Sequence, residues 1–214
     1  TMAGMFFARG MTAVISTNQL SITAETSQFF YDLANFRIYL PFGGTVNKAG
    51  KLVMPYIGVG VVVALVVLVA IFLILRYTKF GRSLYAVGGS EQSAAMMGLD
   101  VKKTKLKAYV LSSFLCSVGG ICYCMNTMSA SVSQATGMEM DAISSAVIGG
   151  TLLTGGVGNV IGSLFGVLIN GTISTIVKTN GKLASSWPNI LTAILLCFFI
   201  VLQSVFARVR AKSK

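Results

Sequence analysis

Residues 56–77 read YIGVGVVVALVVLVAIFLILRY, and the only charge among them is Arg76, next to the end. About 20 apolar residues in a helix cross the hydrocarbon core of a bilayer, and a helix satisfies its own backbone hydrogen bonds there. The stretch therefore predicts a membrane-spanning helix over Tyr56–Tyr77. Three more runs of the same kind follow at Ala108–Met128, Val157–Val177 and Asn189–Phe206. Pro188 precedes the last, where the first turn of a helix tolerates it. Glu139–Thr154 (EMDAISSAVIGGTLLT) is apolar but short and opens on two carboxylates. It reads as a tilted span, a broken helix or a re-entrant segment. The opening residues TMAGMFFARGMTAVIS are apolar, with no basic leader region and no small-residue cleavage site, so they are not a signal peptide. They are expected to end a helix that begins in a longer chain.

The predicted fold is thus all-α and polytopic. It has about five membrane segments plus the end of a sixth, one of them short or broken, in a single membrane domain over residues 1–214. Composition agrees. The chain is 54% hydrophobic and only 11% charged, against about 25% charged in soluble domains. A chain so poor in charge cannot cover a soluble surface. Its 23 glycines suit close helix packing in lipid. The net charge of +11 does not point to nucleic acid, because the basic residues sit in short blocks between apolar runs. Arg76, Lys79, Arg82, Lys102, Lys103, Lys105 and Lys107 form one block; Arg208, Arg210, Lys212 and Lys214 form the other. The positive-inside rule places residues 78–107 and the C-terminus in the cytoplasm and residues 17–55 outside. A short interfacial helix is expected around Gln28–Tyr39, in an outer loop that also holds Pro41 and Gly43-Gly44.

Several chemistries are excluded. There is no histidine, so no Ser-His or Cys-His pair can form. No phosphate-cradling glycine loop with its lysine is present, so ATP hydrolysis would have to reside on another chain. Cys116, Cys122, Cys124 and Cys197 lie in apolar runs without zinc-ligand spacing and read as packing residues. No catalytic residue, metal site or cofactor is expected.

The most informative stretch joins the first two spans: FGRSLYAVGGSEQSAAMMGLD, residues 80–100. Ser90 can cap a helix over Gln92–Met97 that Gly98 ends. Such a helix either docks in a groove of a soluble partner or lies at the lipid interface. Here the residues resemble a known family. Gly81, Tyr85, Ala86, Gly88, Gly89, Ala94, Ala95 and Gly98 match the cytoplasmic loop of ABC sugar importer permeases of the ribose/galactose/xylose type, with Ser90 where that family usually has Asn. A second stretch, DAISSAVIGGTLLTGGVGN over 141–159, is similar to the same family, followed by Gly162, Phe165-Gly166 and Asn170-Gly171. The run Gly181–Trp187 resembles the galactofuranose branch most.

The resemblance implies a permease subunit that forms the sugar path. Its implied partners are an ABC ATPase subunit, a second permease subunit and an extracytoplasmic sugar-binding protein. It implies that Gly88, Gly89, Ser90, Glu91, Ala94, Ala95 and Gly98 contact the ATPase. Candidate path residues are Asp141, Asn159 and Asn170. For the two asparagines, helix–helix hydrogen bonding is the competing role. Glu139 and Asp141, read as the outer end of the short segment, either sit wet among headgroups, the preferred position on depth, or line the path. Trp187 reads as an interfacial anchor. Gly162 and Gly166 form a small-x-x-x-small pair for close helix contact. Two rival functions remain: an ion-driven secondary transporter, which would need a carboxylate near the midplane, and a membrane scaffold that transports nothing.

Overall fold

In the computed structural model, residues 2–16, 18–23, 25, 27–39, 45–46, 52–53, 56–132, 134–179 and 187–212 are described. In chain order the elements are α1 (Met2–Ile15), β1 (Leu20–Ser21), α2 (Gln28–Asn35), β2 (Arg37–Tyr39), β3 (Thr45–Val46), β4 (Leu52–Val53) and β5 (Tyr56–Gly58). Then come α3 (Val59–Tyr77), α4 (Lys79–Gly89), α5 (Glu91–Met96), α6 (Val101–Thr127), β6 (Ser129–Ala130), α7 (Met138–Ile148), α8 (Val160–Thr179) and α9 (Trp187–Lys212). The chain is a helical membrane protein. Among the described residues three helices are long and apolar enough to cross a bilayer: α3, α6 and the Val160–Val177 part of α8. In α9 the described apolar part, Trp187–Gln203, is shorter.

Two compact units divide the chain. The first holds Thr1–Val69 and Tyr109–Gln134. Its three ribbons are antiparallel pairs of two or three residues: β1 with β6, β2 with β5, and β3 with β4. They correct the expectation at one edge. Tyr56–Gly58 opposes Arg37–Tyr39 as a strand, so the helix begins at Val59, after three residues that the pairing holds extended. The interfacial helix is likewise α2, ending at Asn35. Pro41, Gly43 and Gly44 lie outside the described residues. α3 buries none of its residues, and Val61, Leu65, Val66 and Val69 are all exposed. In water such a face would be an interaction patch; beside lipid tails it is an ordinary surface. Hydroxyls along α6 return to the preceding turn, Ser113 donating to the Tyr109 carbonyl (2.9 Å) and Ser117 to Ser113 (3.0 Å). Each of these two hydroxyls thus has a partner within its own helix.

The second unit holds Ala70–Ala108 and Ala135–Lys214. Its centre is an antiparallel hairpin of α7 and α8. A Cβ on Gly162 would lie within bonding distance of the Gly149 carbonyl, and one on Gly166 would do the same at Ser145. The two backbones therefore touch, and only glycine fits. At 1.5 Å per residue α7 is about 16 Å long, so it cannot cross a core of about 30 Å. The segment read as ambiguous over 139–154 is a short helix lying along the first half of α8. It ends in a left-handed cap. Gly150 has φ +88, its N–H bonds the Val147 carbonyl (2.9 Å) and the Thr151 N–H bonds Ala146 (3.0 Å). That pattern satisfies carbonyls a helix end otherwise leaves bare.

Replacing Gly162 or Gly166 by Leu drives a side chain into the backbone of α7. The expected result is a sharp fall in folded, monodisperse protein after detergent extraction, measured by yield and size-exclusion profile. Wild-type yield for both variants would sink the packing assignment.

Candidate functional site

The segment 78–107, expected as a loop around one short helix, is helical almost throughout. Thr78 caps α4, its hydroxyl accepting from the Gly81 N–H at 3.2 Å. Glycines at 81, 88 and 89 argue against a helix by propensity, which is why α4 was not foreseen. Gly81 is required for packing, since a Cβ there would overlap the Leu75 backbone. Ser90 ends α4 and starts α5. Its N–H bonds the Ala86 carbonyl (3.2 Å) and its Oγ accepts from the Ser93 N–H (3.2 Å). α5 thus begins at Glu91, one residue before the expected Gln92. At its far end Gly98 takes φ +80, with its N–H to Ala95 (3.0 Å) and the Leu99 N–H to Ala94 (3.0 Å). A six-residue helix is too short to persist alone; caps at both ends hold this one.

One ion pair fastens α5 to α6, and a second closes the first turn of α6. Lys105 Nζ meets Glu91 Oε1, and Lys103 Nζ meets Asp100 Oδ2 at 2.9 Å. Asp100 also accepts the Lys103 N–H at 3.1 Å. The Lys103 side chain first, and then its backbone N–H, hold the Asp100 carboxyl below the usual carboxylate range. Ala94 is fully buried, whereas Met96 and Met97 are 88% and 68% exposed. α5 therefore faces outward with methionine, and its inner side rests on α4.

The two stretches that resemble one family meet in space. A Cβ on Gly88 would lie 2.8 Å from the Gly156 nitrogen, one on Gly155 would lie 2.6 Å from the Gly88 oxygen, and one on Gly156 would lie 2.7 Å from the Gly89 Cα. Gly156 has φ +76, a conformation other residues rarely adopt. Tyr85 Oη donates to the Gly158 carbonyl at 3.1 Å. The turn from α7 to α8 is closed on itself, the Leu152 N–H bonding Val157 (3.0 Å) and the Gly155 N–H bonding Leu152 (3.0 Å). Beside it lies a groove of about 350 Å³ lined by Leu75, Leu84, Leu152, Val157 and Asn159.

The three candidate path residues stand apart. Asn159 caps α8, its Oδ1 accepting from the Ile161 N–H at 3.1 Å, at the end of the hairpin next to α4. Asn170 is buried midway along α8 and ties three helices. Its amide donates to Ser145 Oγ (3.2 Å), Ser144 Oγ (3.3 Å) and the Asp141 carbonyl (3.4 Å) of α7, and its oxygen accepts from Thr192 Oγ1 (3.2 Å) of α9. All its bonding capacity goes to neighbouring helices. Asp141 is exposed in the first turn of α7. Because α7 covers only half of α8, that turn lies level with Asn170, about 15 Å from the start of α8. Gly149 contacting Gly162 sets this register, which puts the first turn of α7, with Glu139 and Asp141, beside the middle of α8.

Gln203 was passed over in the sequence. Its amide donates to the Val147 (2.9 Å) and Thr151 (3.5 Å) carbonyls, closing the end of α7 from α9. The signal was there, a lone amide in an apolar run. Trp187 opens α9 and is partly exposed, while residues 181–186 of the Gly181–Trp187 run lie outside the described residues. The tail's Arg208, Arg210 and Lys212 belong to α9 by backbone alone, and Lys214 is not described.

Comparison with known proteins follows the same direction. The family model described as branched-chain amino acid transport system / permease component matches residues 1–202. The inner membrane ABC transporter permease protein YjfF of Escherichia coli (strain K12) is 40% identical over 95% of the chain and 57% of its own length. The fructose import permease protein FruG of Bifidobacterium longum (strain NCC 2705) is 35% identical over 100% of the chain and 60% of its own. The ribose import permease protein RbsC of Escherichia coli (strain K12) is 34% identical over 65% of the chain and 43% of its own. The chain thus spans 57–60% of the first two relatives. No solved structure matches it.

Two outcomes follow. Asn170→Ala strands the buried Thr192 hydroxyl, and the expected loss of stability is about 1 kcal/mol, read by denaturation in mixed micelles; an unchanged midpoint would remove the three-helix tie. Asp100, with its pKa depressed on folding, stabilises the start of α6 above the unfolded carboxyl value of about 3.9. That contribution is lost as pH falls through the lower folded value. Hydrogen-exchange protection at the Lys103 amide should drop in that window, and Asp100→Ala should show low protection at every pH.

Proposed function

The chain belongs to the family of the branched-chain amino acid transport system / permease component, and from that premise we propose that it is the membrane permease of an ATP-driven sugar importer. A permease is a transport component and not an enzyme; hydrolysis would belong to a separate ATPase subunit. One observation carries the coupling half of the proposal. α5 is a doubly capped helix between two helices of membrane length, fixed on its inner side and presenting Met96 and Met97 outward. Exposed methionine on a small rigid helix suits docking into a groove. Ser90, Glu91, Ala95 and Gly98 share that exposed segment, while Ala94 supports it from within and Gly88 and Gly89 engage the α7–α8 turn.

The basic block around α5 sits at the same end of its unit as that turn, and the positive-inside rule puts this end in the cytoplasm of a bacterial inner membrane. α9 runs back along α8, since Thr192 meets Asn170 and Gln203 meets Val147, and this direction supports a cytoplasmic C-terminus too. α8 then crosses with Asn170 near the midplane, and the first turn of α7 opens at that depth. A carboxylate does not face lipid there. Asp141 therefore lines an aqueous path or the seam with a second permease subunit, and carboxylates accept hydrogen bonds from sugar hydroxyls. Sugar as the substrate class is supported by the likeness to the fructose and ribose import permeases. Galactofuranose is the finer proposal, supported by the Gly181–Trp187 run. An extracytoplasmic binding protein would deliver the sugar, and ATP closure would push α5 to switch the access of the path.

The test uses the full-length protein purified gently from its native membrane, with Cys116, Cys122, Cys124 and Cys197 replaced and a cysteine introduced by Gln92→Cys. An ATPase subunit should co-purify and cross-link at that position, and uptake should require ATP. Uptake abolished by a proton uncoupler, with no ATPase present, would favour the ion-driven reading instead, with Asp141 as its mid-depth carboxylate.

A further inference from the structure

We infer that Tyr85, Gly88 and Gly156 form the joint that transmits movement of α5 to the α7–α8 hairpin, and so set how much sugar moves per ATP. The inference rests on the importer reading of α5. Ser90 is shared by α4 and α5, so a push on α5 acts directly on the last turn of α4. That turn meets the hairpin main chain to main chain at Gly88 and Gly89 against Gly155 and Gly156. A contact between side chains could yield by changing rotamers. A contact between two backbones has no such slack, so displacement on one side appears on the other. The Tyr85–Gly158 hydrogen bond adds a directional tie that resists sliding along the contact.

What lies beyond the joint is stiff as well. The turn is cross-linked at Leu152, Val157 and Gly155, and Gln203 holds its entry from α9. Gly149 against Gly162 and Gly166 against Ser145 repeat the backbone contact along the hairpin. The series ends at Asn170, beside the first turn of α7 that carries Asp141. An unbroken line of close contacts thus runs from the exposed helix to mid-depth, all within one unit. Tyr85, Gly88 and Gly156 are positioning residues: they touch no sugar, and they fix where Asp141 and Asn170 stand when α5 moves.

The experiment reconstitutes the full-length permease with its ATPase and binding protein in proteoliposomes and measures uptake and ATP hydrolysis on the same preparation. Tyr85→Phe removes the tie and keeps the ring. Sugar moved per ATP should fall about fivefold while the subunits still co-purify. Gly156→Ala adds a methyl against Gly89 and strains the turn, and its ratio should fall further, by about tenfold or more. An unchanged ratio in Tyr85→Phe overturns the joint, and so does a proportional fall of uptake and hydrolysis, which marks a merely structural role. Should Gly156→Ala fail to assemble, Tyr85→Phe decides alone. Wild-type liposomes without ATP-dependent uptake would instead refute the importer reading on which the joint depends.

Discussion

Inside hydrocarbon a main-chain polar group has nothing to bond except protein, and α7 is the element on which that constraint falls hardest. It stops partway along α8, so its first N–H groups lie beside the middle of that helix rather than at its end. The close approach of Gly149 to Gly162 and of Ser145 to Gly166 makes this tolerable. Helices with ordinary side chains between them stand 8–10 Å apart; glycine contact brings these two closer and sets the asparagine of one directly against the hydroxyls and carbonyl of the other. Brought to backbone contact, Asn170 reaches Ser144, Ser145 and the Asp141 carbonyl, and Gln203 reaches the carbonyls at the other end. Glycine here sets the separation that lets amide side chains finish the hydrogen bonding of a half-length helix.

The same requirement separates what the sequence discloses from what it hides. Apolar length alone marks α3, α6 and α8, because lipid imposes a minimum span whatever the neighbours are. Ser90 and Gly98 are also legible, since a cap depends on local chemistry within three or four residues. α4 is not legible: Gly81, Gly88 and Gly89 argue against a helix until the backbones they must approach are known. Nor is the meeting of Gly88 with Gly156, which depends on two turns distant in sequence. The level of Asp141 beside Asn170 is hidden for a related reason, because it follows from the register that Gly149 and Gly162 set. The strand at Tyr56–Gly58 was missed because its pairing with Arg37–Tyr39 overrides the helical bias of the apolar run it begins.

Charge is distributed with the same economy. The acids nearest α5 are both engaged, Glu91 by Lys105 and Asp100 by Lys103, and each pair ties a cap or a short helix to α6. Exposed ion pairs contribute little stability, so their effect is on orientation: Glu91–Lys105 holds α5 against α6, and Asp100–Lys103 holds the first turn of α6. The basic residues around them remain in excess at the end of the unit where α4, α5 and the α7–α8 turn gather, a distribution that suits an anionic leaflet.

Rigidity and polarity are thus arranged in opposite order along this unit. At the exposed end the contacts are tight and largely non-polar, glycine against glycine, with Tyr85 as the directional tie. Toward mid-depth the close packing gives way to a hydrogen-bonded tie of Asn170, Ser144, Ser145 and Thr192. Hydrogen bonds exchange partners at modest cost, whereas interlocked backbones do not. A displacement delivered through the stiff end would therefore be taken up where bonds can be traded, which is where the Asp141 carboxylate sits. A unit built the other way round, soft at the exposed end, would dissipate the push before it reached the residues able to respond.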